Sequence, residues 1–387
     1  MRKKILLLSI NIIFVILITG CWNYSEMEDR LLVAGFSVDQ GKGEVPYLVT
    51  VEVLIPKSET SMDTALVQAD GYTILDALRN IASITGKKLY LGHCRTMVIC
   101  RSIAEQGIAD LLDALARDHE LRFSINIVVC NHSPAWQLYK RETVGDIKNY
   151  TIEQGLEEVV RYSGKSFAVN IAETLQALNQ EGIELLLPVV EQIYCAGAPT
   201  FRMAGLAVFD KDKLVGFLTP EEAKYVLLIR NEIKGGVLLS AYETEPDLEG
   251  KEMSYCLEIY NCKSKLKVKG KDGKKIKLSI NTKVEAGLAS TDTKIKYDKK
   301  SNEKIRESFE NTLDESINTV IKRVQSEFGT DVFGFGLYIY KHKHKMWNDV
   351  KENWNDYFKE IEVDVNSSIK IRQSGLTRDT IKKGDKH

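Results

Sequence analysis

The chain has 387 residues, 44% hydrophobic and 28% charged, which suits a protein that buries a real core and has room for two or three domains. A formal net charge of −1 points the chain as a whole to neither an acidic nor a basic partner. The charge is nevertheless uneven, with 29 Lys and Arg against 21 Asp and Glu from Lys251 to the end, and 21 against 33 between Cys21 and Gly250.

The first twenty residues read as a segment apart from the fold. Arg2, Lys3 and Lys4 precede an apolar run, Ile5 to Ile18, broken only by Ser9 and Asn11. At about 14 residues it is short of the roughly 20 needed to cross a bilayer, so it reads as a secretory signal. The run ends in Ile18-Thr19-Gly20-Cys21, which resembles the bacterial lipobox. In such proteins the signal is cut before the cysteine, whose thiol carries a diacylglyceryl group. Two acyl chains hold a protein stably where one holds it marginally. Cys21 is therefore the expected lipidation site, bearing S-diacylglycerol and N-acyl (palmitate-like) chains. The other cysteines, Cys94, Cys100, Cys130, Cys195, Cys256 and Cys262, show no zinc-like spacing and read as mostly buried free thiols.

Along the chain, "LLVAGFSVDQ" and "PYLVTVEVLIP" read as two strands joined by a turn-rich "GKGEV". Pro56 ends the second, and 57–71 reads as a mobile polar loop. "YTILDALRNIASIT" is an amphipathic helix stopped by Gly86. "KLYLGHCRTMVIC" reads as one strand, "IADLLDALARD" as a helix and "RFSINIVVC" as a strand. Helical patterns follow at 151–161 and 168–179, and Pro188 opens the strand "VVEQIYC". "GAP" at 197–199 is the linker candidate. Beyond it, two strands flank "DKDK", and Thr219-Pro220-Glu221-Glu222 opens a helix with the marks of a capping box. A hairpin turns at Asp272-Gly273. A long helix then carries Ile305, Phe309, Leu313, Ile317, Val320, Ile321 and Val324 as one stripe. A Trp-bearing helix and a last strand, "IEVDVNSSIKIR", complete the pattern. The mixture predicts an α+β fold with mixed or antiparallel sheets and packed helices. The expected division is a 1–20 signal, a 21–196 N-terminal α+β region of one or two subdomains, a 197–378 α+β domain, and a disordered 379–387 tail.

Catalytic signatures are missing: no Gly-x-Ser-x-Gly, no His-Glu-x-x-His and no phosphate loop. His93 reads as a structural histidine within a strand, and His342 with His344 as part of a solvated basic segment. Phe333, Phe335, Trp347, Trp354 and Phe358 read as core packing, with Gly334 and Gly336 allowing a tight turn. Lys263, Lys265, Lys267, Lys269 and Lys271 alternate along one side of a strand. They suit either an edge guarded against aggregation or a face resting on anionic headgroups.

Three stretches together resemble the Ger(x)C family, the lipoprotein C subunits of spore nutrient germinant receptors. They are "GCWNYSEMEDR", "GLAVFDKDKLVGFLTPEEAKYVLLIRNEIKGG" and the closing "DVFGFG" with its tryptophans and "VDVNSSIKIRQSGL". Lys345-Met346 stands where the family often has proline before the first closing tryptophan. The resemblance implies three small α+β domains and no enzymatic activity; no cofactor is expected, nor nucleic acid as the partner of an exported lipoprotein whose lysine row has no interleaved aromatics. The resemblance also implies a tether to the outer face of the spore inner membrane, and integral-membrane A and B subunits as partners. The remaining alternative is a solute-binding lipoprotein of an importer, which should be bilobal with repeated α/β units.

Overall fold

The computed structural model describes residues 29–372, apart from 59–60, 119, 133, 141–147, 196, 240–242, 245–251, 254, 274 and 292–298. The 1–20 segment, Cys21 and the 379–387 tail lie outside the described residues.

The first half is built on a nine-stranded sheet. Its strands are β1 (Arg30–Gln40), β2 (Tyr47–Ser58), β3 (Ser61–Gly71), β4 (Lys88–Tyr90), β5 (Thr96–Cys100), β6 (Asn126–Cys130), β7 (Leu186–Cys195), β8 (Ala198–Asp210) and β9 (Lys213–Leu218). They lie in the order β3-β2-β1-β5-β6-β7-β8-β9, with β4 beside the start of β1. The middle, β1 through β7, is parallel, and both flanks are antiparallel. "TMVIC" of β5 is buried along its whole length and "NIVVC" of β6 nearly so, which explains the parallel centre: unbroken apolar strands need cover on both faces. That cover comes from crossover helices α1 (Ile74–Thr85), α2 (Arg101–Gln106), α3 (Ala109–Ala116), α4 (Lys148–Glu158) and α5 (Ile171–Leu178). In α1, Thr73 caps the N-terminus by accepting from Asp76 N, and Ile74, Ala77, Leu78 and Ile81 are buried.

Two sequence expectations are corrected here. Residues 61–71, expected within a mobile loop, form β3 and pair with β2 from Tyr47↔Gly71 to Ser58↔Ser61. Pro56 is tolerated because β1 pairs with β2 only as far as Leu54, so the proline interrupts no ladder on that side. "KLYLGHCRTMVIC" is not one strand, since Leu91–His93 forms a 3₁₀ turn between β4 and β5.

The second half opens with α6 (Pro220–Arg230). Its Thr219 and Glu222 form the full reciprocal capping box, and Pro220 stands at the first helical position. Strand β10 (Val237–Leu239) follows, then the short pair β11 (Glu243–Thr244) and β12 (Glu252–Met253). The long hairpin β13 (Tyr255–Asp272) and β14 (Lys275–Thr291) comes next. Helices α7 (Lys299–Arg323), α8 (Phe335–His342), α9 (His344–Val350) and α10 (Trp354–Lys359) then lead to β15 (Glu362–Arg372). The second sheet runs β10-β13-β14-β15, and its last strand is parallel to β14. The stripe of α7, with Val324 beyond it, is buried throughout.

Where the resemblance implies three small domains, the buried side chains gather into two clusters, and the clusters share strands. Leu187, Ala207 and Phe209 point into the first core, while their neighbours Leu186, Leu206 and Val208 point into the second. Strand β8 is thus apolar on both faces because each face meets a different core. Gly197, in the expected linker, lies in the tight connection of the β7–β8 hairpin, within the first sheet.

Candidate functional site at the joint between the halves

Two irregular segments meet where the halves join: residues 179–185, which leave α5, and residues 329–334, which lead into α8. The backbone of Leu337 donates to Gly182 O over 2.6 Å, and Glu184 N donates to Asp331 O over 2.8 Å. Glu181 accepts from the Trp347 indole N–H at 2.9 Å. Gly182 has φ +75°, and a Cβ there would come within 2.4 Å of the Gly336 carbonyl carbon. A Cβ on Gly336 would in turn meet the Trp354 ring at 2.7 Å. The sequence suggests that Gly336 serves a turn. The structure gives that role to Gly334, which precedes α8 with φ +81°, and uses Gly336 for close approach.

Asp331 organises this joint. It is fully buried, and its Oδ1 accepts from Phe333 N (3.0 Å) and Gly334 N (2.9 Å). Its Oδ2 accepts from Gly336 N (2.7 Å) and from Trp354 Nε1 (3.2 Å). Burial pushes its pKa up to about 6, against the opposing pull of the backbone N–H donors. Around it, Phe333 stacks on Phe335 at 5.1 Å and Trp347 leans on Trp354 at 5.3 Å. All four rings are buried, as is Phe358, in keeping with the expected packing role.

Beside the joint lies a cleft of about 600 Å³ between α5, residues 183–186 and the turn after α6. Phe167, Ile183 and Leu337 supply apolar wall, and Glu173, Arg230 and Glu232 supply polar wall. Arg230 is committed within the protein, donating to Glu232 Oε1 at 2.9 Å and to Val332 O at 3.2 Å. Such a cleft can admit a small amphipathic molecule; its lining contains no Ser, Cys or His that could serve as nucleophile or imidazole base. Among the described residues no three His, Cys, Asp or Glu side chains stand close enough to hold a metal ion.

The other sequence candidates scatter. His93 sits in the 3₁₀ turn rather than in a strand, edge-on to Tyr90 at 5.7 Å. His342 ends α8 and His344 begins α9, both exposed, each against a tyrosine of α8. All six cysteines beyond position 21 are free thiols; Cys94, Cys100 and Cys130 are buried, Cys256 and Cys262 half-buried, and Cys195 exposed. Of the lysine row, Lys263, Lys265 and Lys267 share the outer face of the second sheet. A bulge between Val268 and Gly270 turns Lys271 to the other side, where its Nζ lies 5.2 Å from the Tyr357 ring centre.

Two buried carboxylates escaped sequence reasoning. Glu52 accepts from Lys148 N and Asn149 N at 2.8 Å each, and so caps α4. Asp39 accepts from Ala135 N and Trp136 N at 2.5 and 3.1 Å. Their partners lie about a hundred residues downstream, beyond the reach of any local pattern. Asp331 carried a faint signal, an acid just ahead of a Phe-Gly-Phe-Gly run.

Comparison with known proteins also divides the chain in two, but places the boundary before most of β8 and all of β9, which the structure keeps in the first sheet. Residues 23–192 match the family model described as the spore germination protein N-terminal domain, and 204–375 match the one described as spore germination B3/GerAC like, C-terminal. Spore germination protein KC of Bacillus subtilis (strain 168) is 23% identical over 99% of this chain and 98% of its own length. Spore germination protein B3 of the same organism is 24% identical over 95% and 97%. The crystal structure of the GerBC protein shares the fold, with a TM-score of 0.56 at 20% identity over 87% of this chain and 96% of that one.

Proposed function

The chain belongs to the Ger(x)C family of spore germination proteins, and from that premise we propose that it is the membrane-anchored lipoprotein subunit of a nutrient germinant receptor. It acts in spore germination as a scaffold and coupling subunit without a catalytic step. It is held to the outer face of the spore inner membrane by acyl chains on Cys21 and works beside integral-membrane A and B subunits. The observation that carries this reading is the end-to-end likeness: both family halves occur in order, and the named relatives match over 95–99% of the chain. The lipobox residues Ile18 to Cys21 supply the anchor. No described helix is long and apolar enough to cross a membrane.

The test is a strain carrying Cys21→Ala. The chain should leave the membrane fraction and the nutrient response should fall; normal retention with normal germination would overturn the reading. Capture from detergent-solubilised spore membranes should bring down the A and B subunits.

The cleft beside the joint favours one second reading, a solute-binding lipoprotein. Against it, the described strands form one large mixed sheet, a four-stranded sheet and a two-stranded pair, not two lobes of repeated α/β units. A rise in melting temperature with a candidate nutrient would favour it.

A further inference from the structure

Strand β14 is flanked on both sides, by β13 and β15, and its side chains alternate between a buried and an exposed face, with Ser279 the one buried residue on the lysine side between Lys275 and Lys283. Ile276, Leu278, Ile280 and Val284 are buried beneath the helices, and Lys275, Lys277, Asn281 and Lys283 are exposed on the opposite face. Lys263, Lys265 and Lys267 of β13 stand on that same outer face, exposed, with Lys263 directly opposite Lys283 and Lys265 opposite Asn281. Like charges placed opposite each other across a ladder repel and weaken the pairing. No described helix covers this face.

The charge here is not balanced locally. Lys275 and Lys277 share Glu362 at 3.4 and 3.2 Å, and Arg372 pairs with Glu285. Lys263, Lys265, Lys267 and Lys283 pair with no described carboxylate. Protection of an exposed sheet edge explains lysines on β13, which β10 covers only from Cys256 to Glu258. It does not explain Lys277 and Lys283, which sit on a central strand with no edge to guard. Tyr260, 48% exposed, lies on this face with its hydroxyl over Gly287, adding an amphipathic ring of the kind that sits at headgroup level.

We propose that the outer face of the β13–β14 ribbon, centred on Lys263, Lys265, Lys267 and Lys283, docks against the anionic phospholipid surface of the membrane that holds the protein. The proposal rests on the anchored-lipoprotein reading for the protein's presence at a bilayer, and on charge complementarity for the choice of face. Lysine heads reach the headgroups while their stems cover the sheet. The contact adds orientation to the tether and weakens as salt screens it.

The test uses the full acylated chain incorporated into vesicles of pure phosphatidylcholine, or of phosphatidylcholine with phosphatidylglycerol at 7:3, probed by amine acetylation and mass spectrometry. In anionic vesicles at low salt, labelling of Lys263, Lys265, Lys267 and Lys283 should fall several-fold relative to phosphatidylcholine and recover at high salt. Lys87 and Lys213, exposed elsewhere, should label equally in both. The triple variant Lys263→Gln, Lys265→Gln, Lys267→Gln should label equally at Lys283 in both lipids. Equal labelling of the wild-type face in the two lipids, or protection of Lys283 that survives the triple variant, would overturn the proposal. A chain that fails to float with phosphatidylcholine vesicles would instead bring down the acyl anchor. Flotation itself then decides the face: anionic vesicles must retain the wild type at low salt and hold the triple variant roughly a hundredfold more weakly, about fivefold per lysine. Failure of anionic vesicles to retain the wild type would overturn it.

Discussion

The indole N–H of Trp354 donates to Asp331 Oδ2 across 3.2 Å in the interior of the joint, tying α10 to the loop that enters α8. The same carboxylate holds three backbone N–H groups, so one acid fixes the course of 331–336. Its folded-state pKa, about 6, lies above the ordinary 3.8, so the folded chain holds this proton more tightly than the unfolded one. The stability gained from protonating Asp331 is full below about pH 4 and is lost as pH rises through about 6. Urea unfolding of the wild type and of Asp331→Asn should show the difference shifting by about 1–2 kcal/mol against the wild type between pH 5 and 7.5. A pH-independent difference would refute this.

Gly182→Ala tests the close approach at the joint. The new Cβ has no room against the Gly336 backbone and demands a left-handed residue at φ +75°. A loss of more than about 1 kcal/mol is expected, with faster amide exchange in 179–185 and 331–337. Unchanged melting and exchange would show that the joint yields easily.

Glu52→Ala should remove the acceptor for the first N–H groups of α4 and leave Asn149, itself buried, short of a partner for its side-chain amide. The expected cost is about 2–3 kcal/mol, since the lost bonds are to a buried charged group. Hydrogen exchange should rise first in 148–158. Exchange that rises evenly over the protein would mean that α4 does not depend on this cap.

Separating the chain at Gly197 should leave neither part folded. Fragment 21–196 loses β8 and β9, which complete the first sheet by hydrogen bonding, while 197–387 keeps those strands but loses β7, against which β8 pairs, Leu186 from its core, and the contacts of Glu181, Gly182 and Glu184 at the joint. Fragments 21–196 and 197–387 made separately should lack near-ultraviolet circular dichroism, and should regain it, if at all, on mixing. A native-like spectrum from either fragment alone would contradict the shared strands.

The thiols should label at two contrasting rates. Cys195 is exposed and should react at once with a thiol reagent. Burial pushes Cys130 and Cys262 up to about 12 and Cys94 higher still, so these remain protonated and slow at neutral pH. Timed alkylation with peptide mapping would check the order. Rapid modification of Cys94 or Cys130 without unfolding would not fit the structure.

Much of the fold was legible because its signals are local. The α7 stripe, the Thr219–Glu222 capping box and the Asp272-Gly273 turn each declare themselves within a few residues, and each is found as expected. Strand β3 was missed because Met62, Leu66, Gln68 and Asp70 face solvent, and its remaining face carries only small or short side chains such as Ala65, Val67 and Ala69. That composition is what an edge strand needs and what a loop also shows. The break between β4 and β5 was hidden by a continuous apolar pattern, which a 3₁₀ turn can satisfy as well as a strand. The joint was the least legible part. Glu181, Gly182, Asp331 and Trp354 act together only after some 170 residues of intervening chain have folded, and no spacing along the sequence encodes that meeting.

The parallel register of β14 with β15 carries a consequence for how the polypeptide is made. On the flank away from β13, residues 277–287 find their neighbours only at 362–372, after four helices have been threaded between. A nascent chain that stops short of residue 362 therefore presents the flank of β14 bare, an unpaired strand able to recruit its like. Completion of this half waits on residues 362–372, so a frameshift or proteolytic cut ahead of them should yield aggregates rather than a shortened working protein.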